Sequence, residues 1–182
     1  MIVLSLDPGT GVSSPTGLSI FDVDTRSIIH AENITTKLKP LEHRLKDISD
    51  QVSDLINLLD LEDPKKTVIC CIESFVMRGK GGETLQRLIG SFMSRIPYHW
   101  QLFSVQNTTI KLFVAGHGRA EKQQVAQGVL HYFEQNKSSV ELIKCLIKEN
   151  EWDILDSLAI GITGWEKNKC TLPQRKPKKP KQ

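Results

Sequence analysis

"MIVLSLDPGTG" (residues 1–11) opens the chain with an apolar run, a single aspartate and a Pro–Gly turn. Ile2, Val3, Leu4 and Leu6 are aliphatic, and Pro8 and Gly9 stop the run at once, which predicts a short buried strand. A carboxylate at the tip of such a strand is costly unless it is paired or holds a cation. Asp7 therefore has two readings. It caps the turn, as Asp does well beside Pro and Gly, or it meets other carboxylates around a metal. The choice rests on whether further acids reach the same place.

Working outward, "GLSIFDV" (17–23) and "RSIIHAENI" (26–34) read as two more strands of a meander, with Asp22, Asp24 and Thr25 at the turn. Pro40 opens a helix whose apolar face is Leu41, Leu45, Ile48, Val52, Leu55 and Leu59, recurring at spacings of four and three. "TVICCI" (67–72) is a buried strand that again ends on an acid, Glu73. A basic, Gly-rich link, "MRGKGG" (77–82), leads into a second helix carrying Leu85, Leu88, Ile89, Phe92 and Ile96. "WQLFSVQ" (100–106) is a further strand, and 108–167 reads as helices broken near "GHG" (116–118) and "NKSS" (136–139). A meander followed by alternating strands and helices implies an α/β fold around a mixed sheet.

The length suits one domain, or one domain with a tail, and the composition, 39% hydrophobic and 25% charged residues in 182, is ordinary for a globular protein. No apolar run approaches the roughly 20 residues of a membrane span. The first residues lack a signal peptide's basic start and longer apolar core. Cys70, Cys71, Cys145 and Cys170 form neither a C-x-x-C pair nor a disulfide framework, which suits a reducing compartment. The expected location is the cytoplasm. The net charge of +3 hides an asymmetry: residues 167–182 hold seven Lys or Arg and no acid, leaving the remainder mildly acidic. Three prolines in the last ten residues disfavour helix, so the expected organisation is a domain over 1–166 and a basic, disordered tail over 167–182. Such an arm either contacts phosphate backbones or simply aids solubility.

A third acidic element is "EWDILDSLAIGITGW" (151–165), with Asp153 and Asp156 one helical turn apart. Leu155, Leu158, Ala159 and Ile162 make the adjoining face apolar, so the helix packs into the core. Two carboxylates there repel, and a cation between them removes the cost; alone, the pair also reads as a cap and a solvated acid. Together, Asp7, Glu73, Asp153 and Asp156 supply the hard oxygen ligands that two-Mg²⁺ phosphodiester hydrolysis needs. His and Cys clusters, which would argue for zinc, are missing.

Four segments in order carry a resemblance. "LSLDPGTG…TGLSIFD", "CIESFVM", "IKLFVAGHGRAEKQQV" and "DILDSLAIGIT" are similar to the acidic turn, second acidic strand, basic segment and closing helix of the RuvC family of Holliday-junction resolvases. The likeness runs from Met1 to about Trp165. It implies an RNase H-like fold, with a mixed five-stranded sheet flanked by helices. It also implies a divalent-metal-dependent endonuclease that nicks four-way junctions in paired, symmetrical fashion, with Asp7, Glu73, Asp153 and Asp156 holding two Mg²⁺ ions, Mn²⁺ substituting. Asp7 would bridge the ions. The family sometimes has histidine at one closing-helix position; here both are aspartate. Implied partners are branched DNA, a second copy of the chain and a branch-migration complex, in the cytoplasm of a bacterial or phage-infected cell.

Lys111 and Lys122 match the family's two lysines near the junction backbone, against a default of solvated surface lysines. Arg78 and Lys80 in the link, and Arg119 in "GHGRAE", are further candidates for DNA contact. The chain departs from the family twice. "SSP" (13–15) looks like an insertion in the first turn. The family's wedge aromatic, three residues beyond the glutamate, is Val76 here, with Phe75 beside it; Phe75 either stacks on a base or packs in the core. The helix after Glu73 presents Phe92 and Met93 at adjacent positions, which one core does not readily bury together, and this predicts the dimer interface there. Rival functions are a junction-binding architectural protein with a degenerate site, disfavoured by the four acids, and a related nuclease of forks, flaps or RNA-containing hybrids. An actin-like ATPase is excluded by length and the lack of a second phosphate loop.

Overall fold

The computed structural model describes residues 1–10, 14–63, 66–74 and 80–169, with Lys80 and Gly81 as backbone only. Five strands form one sheet: β1 (Ile2–Asp7), β2 (Thr16–Asp22), β3 (Ser27–Ile34), β4 (Val68–Ser74) and β5 (Gln101–Gln106). The helices are α1 (Leu41–Leu58), α2 (Lys80–Met93), α3 (Asn107–Ala115), α4 (Lys122–Tyr132), α5 (Lys137–Glu149) and α6 (Trp152–Asn168). The sheet order is β3-β2-β1-β4-β5. β1, β2 and β3 pair antiparallel as a meander, while β4 joins β1 in parallel and β5 joins β4 in parallel. This is the mixed five-stranded sheet that the strand order implied.

The central strands are apolar on both faces because helices cover both, as parallel pairs require. The two-residue period of a strand sorts their side chains into two cores. Val3, Phe21, Ile69 and Cys71 face α4, α5 and α6, and join Val129, Phe133, Leu155 and Leu158. Leu4, Leu6, Leu18, Ile20, Cys70 and Ile72 face the other way onto Ile48, Val52, Ile56, Leu88 and Phe92. α6 crosses the middle of the sheet at short range. A Cβ on Gly164 would stand 2.3 Å from the Cys71 sulfur, so only glycine lets the helix lie that close.

Phe92 corrects the expectation placed on α2. It is 1% exposed, whereas Met93 is 49% exposed. Adjacent helical positions point about 100° apart, so one goes in and the other out, and no core has to hold both. A dimer face built on Phe92 is therefore ruled out. The helical break foreseen at 136–139 falls just earlier: Asn136 is the cap of α5, its side chain accepting from the Ser139 amide at 3.0 Å. A further break separates α5 from α6 at Asn150, in the left-handed conformation with φ 60°, a helix-ending position that suits Asn. α6 itself runs on to Asn168, so Lys167 belongs to a helix, and residues 170–182 of the basic tail lie outside the described residues. No helix is long and apolar enough to cross a membrane among the described residues.

Candidate active site

Asp7 is the last residue of β1, and Glu73 is the next to last of β4. The parallel register pairs Leu6 with Ile72, which sets the two acids side by side at the C-terminal edge of the sheet. Asp7 also pairs with Gly17 across the antiparallel ladder, and Gly17 lies directly under the Asp153 carbonyl at the start of α6. Asp156 follows one turn later and enters the same space. The cleft so formed holds about 30 Å³ and is lined by Asp7, Glu73, Asn107, Ile110, Lys111, Val125, Asp156 and Ile160. Three acids thus share one cleft, and Asp153 stands at its edge, close enough for its charge to act on Asp7.

The electrostatics record the crowding. Burial, then the charges of Glu73, Asp156 and Asp153, and a hydrogen bond with Glu73 push the Asp7 carboxyl up from 3.8 to about 8. Burial also raises Glu73, against the pull of the Asn107 amide, whose Nδ2 donates to Oε1 at 2.8 Å. Asp156 is raised by burial, opposed by the Lys122 ammonium at 3.5 Å. With its carboxyl pushed up to about 8, Asp7 keeps its proton at neutral pH beside Glu73, and Asp156 leans on a lysine. Accordingly, among the described residues no three His, Cys, Asp or Glu side chains form a ready-made metal cluster. A divalent cation would replace that proton and that ammonium as the neutralising charge. The donor set is carboxylate and amide oxygen, with no His or Cys in the cleft lining, so these residues fit a hard ion such as Mg²⁺ rather than zinc.

The basic candidates divide. Lys111 lines the cleft, and Lys122 pairs with Asp156 at its mouth. Arg119 sits on the exposed turn between α3 and α4, away from the lining. Lys80 is the first residue of α2, its side chain outside the description, and Phe75, Val76 and Arg78 lie outside the described residues altogether. Asn107 was not anticipated. It follows β5 directly, and β5 lies parallel beside β4, so a polar side chain there lands next to Glu73. The signal available was a polar residue just past the end of a strand that neighbours an acidic one.

The pattern of the family described as Crossover junction endodeoxyribonuclease RuvC matches residues 3–164. The chain belongs to the RuvC family. RuvC proteins are crossover-junction endodeoxyribonucleases that depend on divalent metal, and the matched span takes in both acidic strands, the basic segment and the closing helix. Solved RuvC structures share its fold, two of them from one organism. Thermus thermophilus RuvC is 19% identical with a TM-score of 0.64, over 92% of this chain and 96% of that one. T. thermophilus RuvC in complex with Holliday junction substrate is 20% identical with a TM-score of 0.62, over 90% and 92%. At such identity the likeness carries the fold, RNase H-like, and not the residues. No protein of curated function matches the sequence.

Proposed function

We propose that this chain resolves four-way DNA junctions by paired nicks in symmetry-related strands, using Mg²⁺ held by Asp7, Glu73, Asp153 and Asp156. The observation that carries this is the set of mutually repelling carboxylates at the C-terminal tips of two parallel strands, with Asp7 raised furthest. A solved RuvC relative holds a Holliday junction substrate, which supports the choice of DNA. The chemistry that a pair of Mg²⁺ ions supplies when bound, with Mn²⁺ as a substitute, is a lowered pKa for water and charge neutralisation on the leaving oxygen. The residues do the rest. Asp7, once deprotonated, would hold the metal from the strand tip, and Asn107 holds Glu73 in place by its amide. Lys111 balances charge gathering on the phosphate, and Lys122, released from Asp156, is free for the backbone. Water adds to phosphorus and the bridging oxygen departs with a proton, leaving ends that a ligase can reseal.

Among the described residues a chain has one such acidic set, whereas resolving a crossover takes two cuts on opposite strands. The working unit is therefore a homodimer, matching the two-fold symmetry of a four-way junction. Met93 and Tyr98, 49% and 100% exposed, leave the outward side of α2 and the segment beyond it open to a partner.

The test compares an immobile four-way junction, a fork and a linear duplex, each with Mg²⁺, Mn²⁺ or excess EDTA, beside sedimentation of the junction complex. Paired, ligatable nicks confined to the metal lanes, with two chains per junction, are expected. Cleavage that survives EDTA overturns the metal assignment, and tight binding without cutting points to an architectural protein. Preference for the fork over the junction would reassign the substrate.

Two further outcomes follow from the arrangement. Asn107→Ala removes the amide that orients Glu73, and loss of such a supporting hydrogen bond typically costs 10–100-fold in metal affinity. The Mg²⁺ concentration for half-maximal cleavage should rise by about that factor, with the maximal rate partly recovered at high Mg²⁺; an unchanged metal requirement would remove Asn107 from the site. Deleting residues 170–182 takes away five Lys and Arg without cutting into α6. If the tail contacts phosphates, the slope of log K against log salt becomes shallower by up to about 4, and affinity falls alike for every DNA shape. An identical slope would mean that the tail touches no phosphate.

A further inference from the structure

A second concavity lies one step from the acids. Gln123, Gln124, Gln127, Ile147, Asn150 and Trp152 line an open groove of about 350 Å³ between the start of α4, the end of α5 and the start of α6. Its position follows from helix geometry. Trp152 and Asp156 are four residues apart on one stripe of α6, about 6 Å of axial rise. Gln123 directly follows Lys122, whose ammonium reaches Asp156 at 3.5 Å. The groove thus adjoins the cleft, about one turn of α6 away.

Its chemistry differs from that of the cleft. None of the described residues lining it is charged, so it is built for neither a phosphate nor a metal. It offers instead a half-buried indole, which stacks on a base face, and exposed amides, each presenting a donor beside an acceptor. That pairing is the one by which Gln reads a base edge. Gln124 is partly committed, since its Oε1 accepts from the Glu121 amide at 2.9 Å in the cap of α4. Gln123 and Gln127 have exposed side chains on the same side of α4.

We infer that this groove receives a nucleobase one to two nucleotides from the scissile phosphate, with Trp152 as the stacking surface and Gln123 and Gln127 as edge readers. This rests on the proposed function above. Lys122 stands between the two sites, so the backbone follows the lysine while one base turns aside onto the indole. The groove makes cutting depend on sequence, although the acids and lysines read no base.

Two measurements test it. Junctions randomised around the crossover are cut by the wild type, Gln123→Ala and Gln127→Leu, and the preference is read by sequencing the ends. One good bidentate contact is worth roughly five- to hundred-fold in base discrimination, so preference at one position within two nucleotides of the nick should fall at least fivefold in one or both variants. Separately, tryptophan emission is followed as junction is added in EDTA, where no cutting occurs. Of the three tryptophans, Trp100 is 7% exposed and Trp165 is half-buried. The titration is therefore made in a Trp165→Phe background, where quenching that disappears on adding Trp152→Phe assigns the stack. Base preference within twofold of wild type in both glutamine variants, or quenching that persists in Trp152→Phe, overturns the groove's role while leaving junction cleavage standing. A wild type that neither binds nor cuts junctions overturns the function on which the inference rests.

Discussion

Asp7→Asn is expected to lower junction cleavage by at least about 10³-fold while junction binding stays within a few-fold of wild type. The substitution keeps size and removes the carboxylate charge that the proposed metal site needs. It should also make the metal-free protein more stable at alkaline pH, and the sign follows from the titration. Asp7 rises from 3.8 to about 8 in the fold, so the folded state holds its proton more tightly than the unfolded chain does. The stability this contributes is complete below about pH 3.8 and is lost as pH rises through about 8. Asn has no such titration. In EDTA, the melting temperature of the variant should overtake that of wild type increasingly between pH 5 and about pH 8.5. Each kcal/mol is worth about 2–4 °C in a chain of this size, which thermal denaturation resolves readily. Adding Mg²⁺ should raise the wild type more than the variant. A variant that cuts within a few-fold of wild type would make Asp7 a turn residue, and a stability gap that does not grow with pH would remove the carboxylate repulsion.

The acids were legible because each ends or begins an element whose apolar pattern is strong. Asp7 and Glu73 close runs of aliphatic residues, and a buried strand with an acid at its tip states its own problem. The helix of Asp153 and Asp156 shows its packed face at 155, 158, 159 and 162. Asn107 was not legible in the same way, because its importance comes from β5 lying beside β4, a pairing between residues more than thirty apart in sequence. Phe92 misled for a local reason: periodicity gives a face, but not which of two adjacent apolar residues lies at its edge. The groove of Trp152 was hidden because it is made by three helices meeting, and the break at Asn150 that brings α6 round to it was not foreseen.

Gly17→Ala should damage the site without touching any acid. Gly17 faces Asp7 across β1–β2, and a Cβ there would lie 1.9 Å from the Asp153 carbonyl oxygen and 2.3 Å from its carbon. Both neighbours are backbone, so no side-chain rotation relieves the clash. Either β2 bends, or the start of α6 lifts by about 1.5 Å to reach ordinary contact at 3.4 Å. Lifting α6 moves Asp153 and Asp156 together, away from Asp7 and Glu73. A misplacement of about 1 Å can cost 10²-fold in rate, and overpacking of this kind typically costs about 1–3 kcal/mol. The expected result is a folded but less stable protein whose cleavage falls about 100-fold and whose Mg²⁺ requirement rises. Gly90→Ala is the matching control, since nothing lies within 4 Å of its Cβ position in α2; replacing an exposed helical glycine should stabilise by roughly 0.5–1 kcal/mol. Circular dichroism, thermal denaturation and a metal titration of cleavage on both variants decide the matter. Full activity in Gly17→Ala would mean that α6 can stand further from the sheet without disturbing the acids, and the close approach over Gly17 would then be packing alone.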